Sequence, residues 1–143
     1  MMHLELLIFT LYLAIISWID YHYLCIPDIL VFGLIIWTHY HNCSFSIAIG
    51  SIDSILGHIW GYCYPLMCNR GYYWWRQEKG IGYGDIKFMC ALGGILGVTG
   101  ITWCSLIASS TALFGIMITQ KKKIAFGPYL CSATIALIIV KKI

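Results

Sequence analysis

The chain has 143 residues, of which 60% are hydrophobic and only 10% charged, and its formal net charge is +3. Globular domains carry about 25% charged residues, and a soluble core of this size could not bury so much apolar surface. The composition therefore excludes an ordinary soluble protein and predicts an integral membrane protein.

Six apolar segments follow one another along the chain. They lack the alternation of barrel strands, so each is predicted to be helical. We expect an all-α, polytopic membrane helix bundle of about six transmembrane helices, forming a single membrane-embedded domain over residues 1–143. The segments are 4–19, 29–37, 46–67, 85–98, 101–119 and 124–140.

Acidic residues mark several of these segments. Asp20 follows the first, and Asp28, after Pro27, is expected to cap the second. Asp53 lies in the third, where it would either line a polar cavity or mark the beginning of the helix, and both interpretations stay open. The fourth begins at Asp85, and an acid at the mouth of a membrane helix is a functional candidate by default.

Lys and Arg residues set the expected orientation. Two clusters, at 70–79 and 121–123, are separated by two segments and so share a side, which the positive-inside rule makes cytoplasmic. The loop 20–27 lies two segments before the first cluster and shares that side. Asp20 and Asp85 therefore both fall at cytoplasmic helix ends. Clusters spaced in this way do not form a nucleic-acid face.

Glycine and cysteine give weaker signals. Gly93 and Gly97 form one G-x-x-x-G pattern, which we interpret as ordinary close packing of helices. The seven cysteines include no C-x-x-C pair, so neither a disulfide framework nor a zinc site is indicated.

Two carboxylates on one face allow a specific chemistry. Brought close together, they cannot both ionise easily, so one keeps a proton. The charged carboxylate can then take a proton from water while the neutral one protonates a carbonyl. This is the logic of aspartic peptidases, which need no metal or cofactor. The alternative is that Asp20 and Asp85 only end or pack their helices.

Three short motifs stand at the ends of the apolar segments. They are Gly82-Tyr83-Gly84-Asp85 with Lys87 close behind it, Asp20 followed after five residues by Ile26-Pro27-Asp28, and Phe126-Gly127-Pro128. In order and placement they resemble the G-x-G-D, D-x5-[IL]-P-[DN] and F-G-P segments of prepilin leader peptidases, which are bacterial membrane aspartic proteases. The resemblance extends from the first segment to the last.

The resemblance implies roles for individual residues. Asp20 and Asp85 would be the catalytic pair, and Gly82 and Gly84 would give an unwound entry that lets Asp85 approach Asp20. Lys87 would either neutralise Asp85 or snorkel to the interface, and we favour snorkelling. The remaining supporting residues of the motifs are Pro27, Asp28, Phe126, Gly127 and Pro128.

The resemblance also implies a substrate and a location. The substrate would be the leader peptide of type IV prepilins or type II secretion pseudopilins, cut at the cytoplasmic face of the bacterial inner membrane. The lipid bilayer is the other expected partner, and the basic loops are assigned to topology and lipid headgroups. Tyr72, Tyr73, Trp74 and Trp75 are expected to form an interfacial aromatic belt.

Longer family members add an N-terminal region with paired C-x-x-C motifs and methylate the new N-terminus. We expect this chain to be a short, peptidase-only form without that region. Three alternatives stay open: a peptidase that also N-methylates its product, a catalytically silent relative that binds pilins, and a non-enzymatic membrane protein such as a proton-relay transporter or assembly subunit.

Overall fold

The computed structural model describes residues 2–44, 50–77, 80–119 and 124–142, and within those ranges every regular element is an α-helix. The all-α prediction is confirmed for them. The basic residues 79 and 121–123 lie outside the described residues. The helices are α1 (Met2–Tyr23), α2 (Asp28–Ser44), α3 (Ser51–Arg76), α4 (Tyr83–Thr119) and α5 (Gly127–Lys142).

Helix α4 has 37 residues and is interrupted at Gly97, where φ is 72° and ψ is 179°. A residue with a side chain is strained at that φ, whereas glycine adopts it readily. The interruption divides α4 into the parts 83–96 and 98–119. These overlap the predicted segments 85–98 and 101–119, but the interruption falls within the predicted fourth segment, two residues before the predicted boundary at 99–100.

Helix α4 is also, among the described residues, the helix whose length and composition suffice for a membrane span. Three shorter apolar helices accompany it, over Leu7–Tyr23, Asp28–Tyr40 and Gly127–Val140. The number of spans stays a prediction.

The chain divides into two compact units. The first combines Met1–Ile26 with Cys104–Ile143, and its buried side chains include Leu13, Ile16 and Leu130. Buried cysteines belong to this packing: the Cys131 thiol lies 3.4 Å from the Leu13 carbonyl oxygen. Cysteine acts here as a small apolar side chain with a weak hydrogen bond.

The second unit, Pro27–Trp103, is held by a close crossing of α3 and α4. A Cβ atom on Gly57 would overlap the Gly93 carbonyl oxygen, and one on Gly61 would stand 2.5 Å from the Met89 carbonyl oxygen. The two backbones therefore touch directly, which side chains would prevent. Ser54 adds a hydrogen bond of 2.8 Å from its Oγ to the Gly94 carbonyl. Gly93 thus serves the helix packing that its pattern indicated.

We expect Gly57→Ala to destabilise the protein by about 1–3 kcal/mol, because overpacking at a tight crossing forces the backbone to shift. Unfolding in mixed detergent micelles measures the change. The matched control is Gly71→Ala, where an added Cβ meets nothing within 4 Å. That change is expected to be neutral or to stabilise the helix by up to about 1 kcal/mol. Equal losses in both variants would contradict the crossing as the cause.

Candidate active site

Asp20 lies in the last turn of α1 and is only 4% exposed. The helix ends behind it: the Leu24 amide donates to the Asp20 carbonyl oxygen at 2.9 Å, and Leu24 has a left-handed φ of 51°. A carboxylate near the C-terminus of a helix faces the negative end of the helix dipole. Asp20 therefore needs compensation from elsewhere in the fold.

The compensation comes from the start of α5. The backbone N–H of Gly127 donates to Asp20 Oδ2 at 2.8 Å, and this contact is buried. The Phe126 carbonyl accepts the Leu130 amide at 3.1 Å, so Phe126 is the N-cap and Gly127 the first helical residue. The Asp20 carboxylate thus meets the positive end of the α5 dipole and one of its unpaired N–H groups.

The contact between Gly127 and Asp20 explains the residue types of the F-G-P motif. A Cβ atom on Gly127 would stand 2.7 Å from Asp20 Oδ2 and 3.1 Å from its Cγ, so no larger residue fits without moving the carboxylate. Pro128 follows in the first turn of α5, where a missing N–H leaves no intrahelical bond unmade. The motif builds a helix start whose backbone comes close to Asp20.

Asp85 lies in the first turn of α4, at the N-terminal end of its helix. The Gly82 carbonyl accepts the Ile86 amide at 3.2 Å, which makes Gly82 the N-cap and Asp85 the third helical residue. The Asp85 carboxylate is half-buried and lies close to the N-cap residue: a Cβ atom placed on Gly82 would be 3.4 Å from Asp85 Oδ2. An acid in the first turn is stabilised by the helix dipole.

The two glycines of this motif differ from the expectation of an unwound entry. Helix α4 begins at Tyr83, so Gly84 is helical and only Gly82 lies outside the helix. Among the glycines that the structure describes, Gly97 is the one with a positive φ. The approach to Asp85 is therefore a regular helix start.

Lys87 and Asp28 form an ion pair, although Lys87 was expected to snorkel and Asp28 to cap α2. Lys87 Nζ donates to both carboxylate oxygens of Asp28, at 2.8 and 2.7 Å. Asp28 is the first helical residue of α2, beyond the N-cap position, which leaves its carboxylate available to the lysine. Sequence patterns could not reveal this pairing, because 59 residues separate the partners.

Asn69 is a residue that the sequence motifs missed. Its Oδ1 accepts the amides of Gly80 and Ile81, both at 3.1 Å, and its Nδ2 donates to the Ile81 carbonyl at 3.2 Å. The only signal in the sequence is an amide side chain within α3, two turns before that helix ends.

The predicted site residues thus fall into local groups. The structure brings Asp20 to Gly127, and it places the Asp85 carboxylate beside Gly82. Asp20 belongs to the first unit and Asp85 to the second, and their pairing stays a prediction. Within residues 2–44, 50–77, 80–119 and 124–142, no three His, Cys, Asp or Glu side chains are grouped to hold a metal ion.

Known proteins resemble this chain along most of its length. It is 30% identical over 140 residues to the "Prepilin leader peptidase/N-methyltransferase" of Aeromonas salmonicida (strain A449), an alignment that covers 91% of this chain and 47% of the relative. It is 32% identical over 89 residues to "Leader peptidase HopD" of Escherichia coli, covering 57% of each. A protein of Dichelobacter nodosus with the same name as the Aeromonas relative is 28% identical over 134 residues, covering 89% of this chain and 45% of the relative.

The chain spans about half the length of the relatives named as combined peptidase and N-methyltransferase. No solved structure matches it. Residues 7–119 match the model of the type IV leader peptidase family, and this range includes Asp20 and the whole Gly82–Asp85 motif. On this match, which takes in most of the sequence, the chain belongs to the type IV leader peptidase family.

Proposed function

We propose that this protein is a membrane aspartic endopeptidase that removes the leader peptide from type IV prepilins or type II secretion pseudopilins. The observation that carries the proposal is the hydrogen bond from the Gly127 amide to the buried Asp20 carboxylate. It joins two of the three motifs by which the chain resembles such peptidases. A carboxylate buried at the end of an apolar helix is a functional candidate by default.

In the proposed mechanism Asp20 and Asp85 share one proton and act as the catalytic pair. The ionised carboxylate takes a proton from a water molecule, whose oxygen attacks the scissile carbonyl carbon, while the protonated carboxyl gives its proton to the carbonyl oxygen. The tetrahedral gem-diol then collapses as the C–N bond breaks: the protonated carboxyl gives its proton to the leaving amine nitrogen, and the other carboxylate takes the proton of one hydroxyl, whose oxygen becomes the carbonyl of the new carboxyl group. One water is consumed, and the pair returns to its starting state.

The surroundings of each acid support this role. Asp20 receives a backbone N–H at the start of α5, and Asp85 stands in the first turn of α4. Donors that are fixed by the backbone hold a carboxylate in place without any reorganisation during the reaction.

We place the active site at the cytoplasmic face of the bacterial inner membrane, in a domain of about six spans. The C-terminal end of α3 supports an interfacial position on that side: Trp74 and Trp75 are 86% and 78% exposed. The Arg76 guanidinium carbon lies 5.5 Å from the centroid of a Trp75 ring. Exposed aromatic and basic side chains at a helix end are typical of the headgroup region.

We expect Asp20→Asn and Asp85→Asn each to abolish leader cleavage, because either change removes a group that must gain and lose a proton. Cleavage of a candidate prepilin, co-expressed with the variant in membranes, is followed by the mobility of the processed band. The matched control is Asp53→Asn, an exposed acid in the first turn of α3, which should cleave normally.

Normal processing by either variant at Asp20 or Asp85 would sink the proposal. The proton-relay alternative makes a different forecast, which is acid-driven flux into proteoliposomes without any cleavage. A silent relative would bind the prepilin and leave it uncut in the wild type as well.

Gly127→Ala should lower the cleavage rate by about 10- to 100-fold, because the added Cβ displaces the Asp20 carboxylate and catalytic groups tolerate little misplacement. Initial rates with a purified prepilin measure the effect. Gly71→Ala makes the same chemical change in open space and should keep the wild-type rate. A Gly127→Ala protein that is folded and fully active would contradict the role given to the F-G-P motif.

A further inference from the structure

Gly80 and Ile81 lie beside α3, level with a residue about two turns before the end of that helix. Helix α3 ends at Arg76, where Gln77 takes a left-handed conformation (φ 57°, ψ 20°) and donates its amide to the Tyr73 carbonyl. Asn69 lies seven residues before Arg76, which is about 10 Å along the axis. Its side chain nevertheless bonds Gly80 and Ile81, so the segment Gly80–Ile81 lies beside α3.

The Asn69 amide uses both of its polar atoms on this segment. Its oxygen accepts two backbone amides, from Gly80 and Ile81, and its nitrogen donates to the Ile81 carbonyl. Asparagine can do this because it carries an acceptor and a donor at one end of a short side chain. Aspartate lacks the donor, and leucine, although similar in shape, lacks both.

The segment also lies close against the same side of α3. A Cβ atom on Gly80 would stand 3.0 Å from a ring carbon of Tyr72, which is three residues after Asn69 and so on the same helix face. The next residue after Ile81 is Gly82, the N-cap of α4. The hydrogen bonds of Asn69 therefore reach to one residue before the N-cap of the helix that bears Asp85.

We propose that Asn69 is a positioning residue for the reaction: its three hydrogen bonds fix the backbone at Gly80 and Ile81, and so the place from which α4 starts and presents Asp85. This inference rests on the proposed function. Asn69 acts through the backbone and does not touch the reacting atoms. The α3–α4 crossing at Gly61 and Met89 fixes α4 further along, and Asn69 fixes its beginning.

The test compares Asn69→Leu, which keeps the shape and loses all three hydrogen bonds, with Asn69→Asp, which keeps the two that its oxygen accepts. With a purified prepilin in detergent, Asn69→Leu should lower kcat by about 10- to 100-fold. Its KM should change less than about threefold, because a residue that acts only by placing Asp85 affects the chemical step more than substrate binding. In Asn69→Asp, the decrease in log kcat relative to the wild type should be at most half of the decrease seen in Asn69→Leu. Cys68→Ala, at an exposed neighbouring position, is the control and should match the wild type.

A second readout does not depend on activity. Amide hydrogen exchange at Gly80 and Ile81, followed by mass spectrometry in an Asp85→Asn background, should be at least about tenfold faster in Asn69→Leu than in its parent. Exchange in Asn69→Asp should stay close to the parent, because both amides keep their acceptor. If Asn69→Leu does not fold, the comparison of Asn69→Asp with the wild type, both carrying Asp85, decides through a lower kcat at an unchanged KM.

The outcomes separate the two proposals. Cleavage that no longer depends on Asp20 and Asp85 would overturn the proposed function. Cleavage that still depends on them, with a kcat unchanged in Asn69→Leu, would overturn this inference alone, whether exchange is faster or not. An equal loss of kcat in Asn69→Leu and Asn69→Asp, with exchange unchanged in both, would also overturn it.

Discussion

A buried carboxylate at the end of an apolar helix dominates the first unit of this protein. Asp20 sits at the unfavourable end of α1 with 4% exposure, and a charge there is tolerated only when fixed dipoles replace water. The start of α5 supplies them through the Gly127 amide. The F-G-P motif serves this one group, and the buried side chains of Leu13 and Leu130 add apolar packing to the contact of α5 with α1.

The second acid, Asp85, is also stabilised by the N-terminal end of a helix. Asp85 uses the beginning of its own helix, whereas Asp20 borrows the beginning of another. The arrangement at Asp20 depends on the small size of glycine, and so does the crossing of α3 and α4. At Gly57, Gly93 and Gly127 a Cβ atom would collide with a neighbour, and only Gly97 uses a backbone angle that other residues avoid.

Much of this could be predicted from the sequence, because apolar runs and motifs are local signals. The absence of strand alternation indicated helices, and the gap predicted at 99–100 lies two residues beyond the interruption that the structure has at Gly97. Contacts between distant positions gave no such signal. The Lys87–Asp28 ion pair and the hydrogen bonds of Asn69 each depend on how distant parts of the chain fold together. The sequence therefore led to separate expectations for Lys87 and Asp28, and to none for Asn69. The crossing partner of Gly93 was missed for the same reason.

Because α4 is interrupted at Gly97, the rotation of one part about its helix axis does not fix the rotation of the other. In an unbroken helix, inserting one residue turns everything beyond it by about 100°. Because Gly97 leaves the helical angles, its backbone can absorb such a turn, and the part that carries Asp85 keeps its face towards α3. We therefore expect insertions and deletions among related chains to be tolerated after Gly97 and to be rare between Asp85 and Gly93.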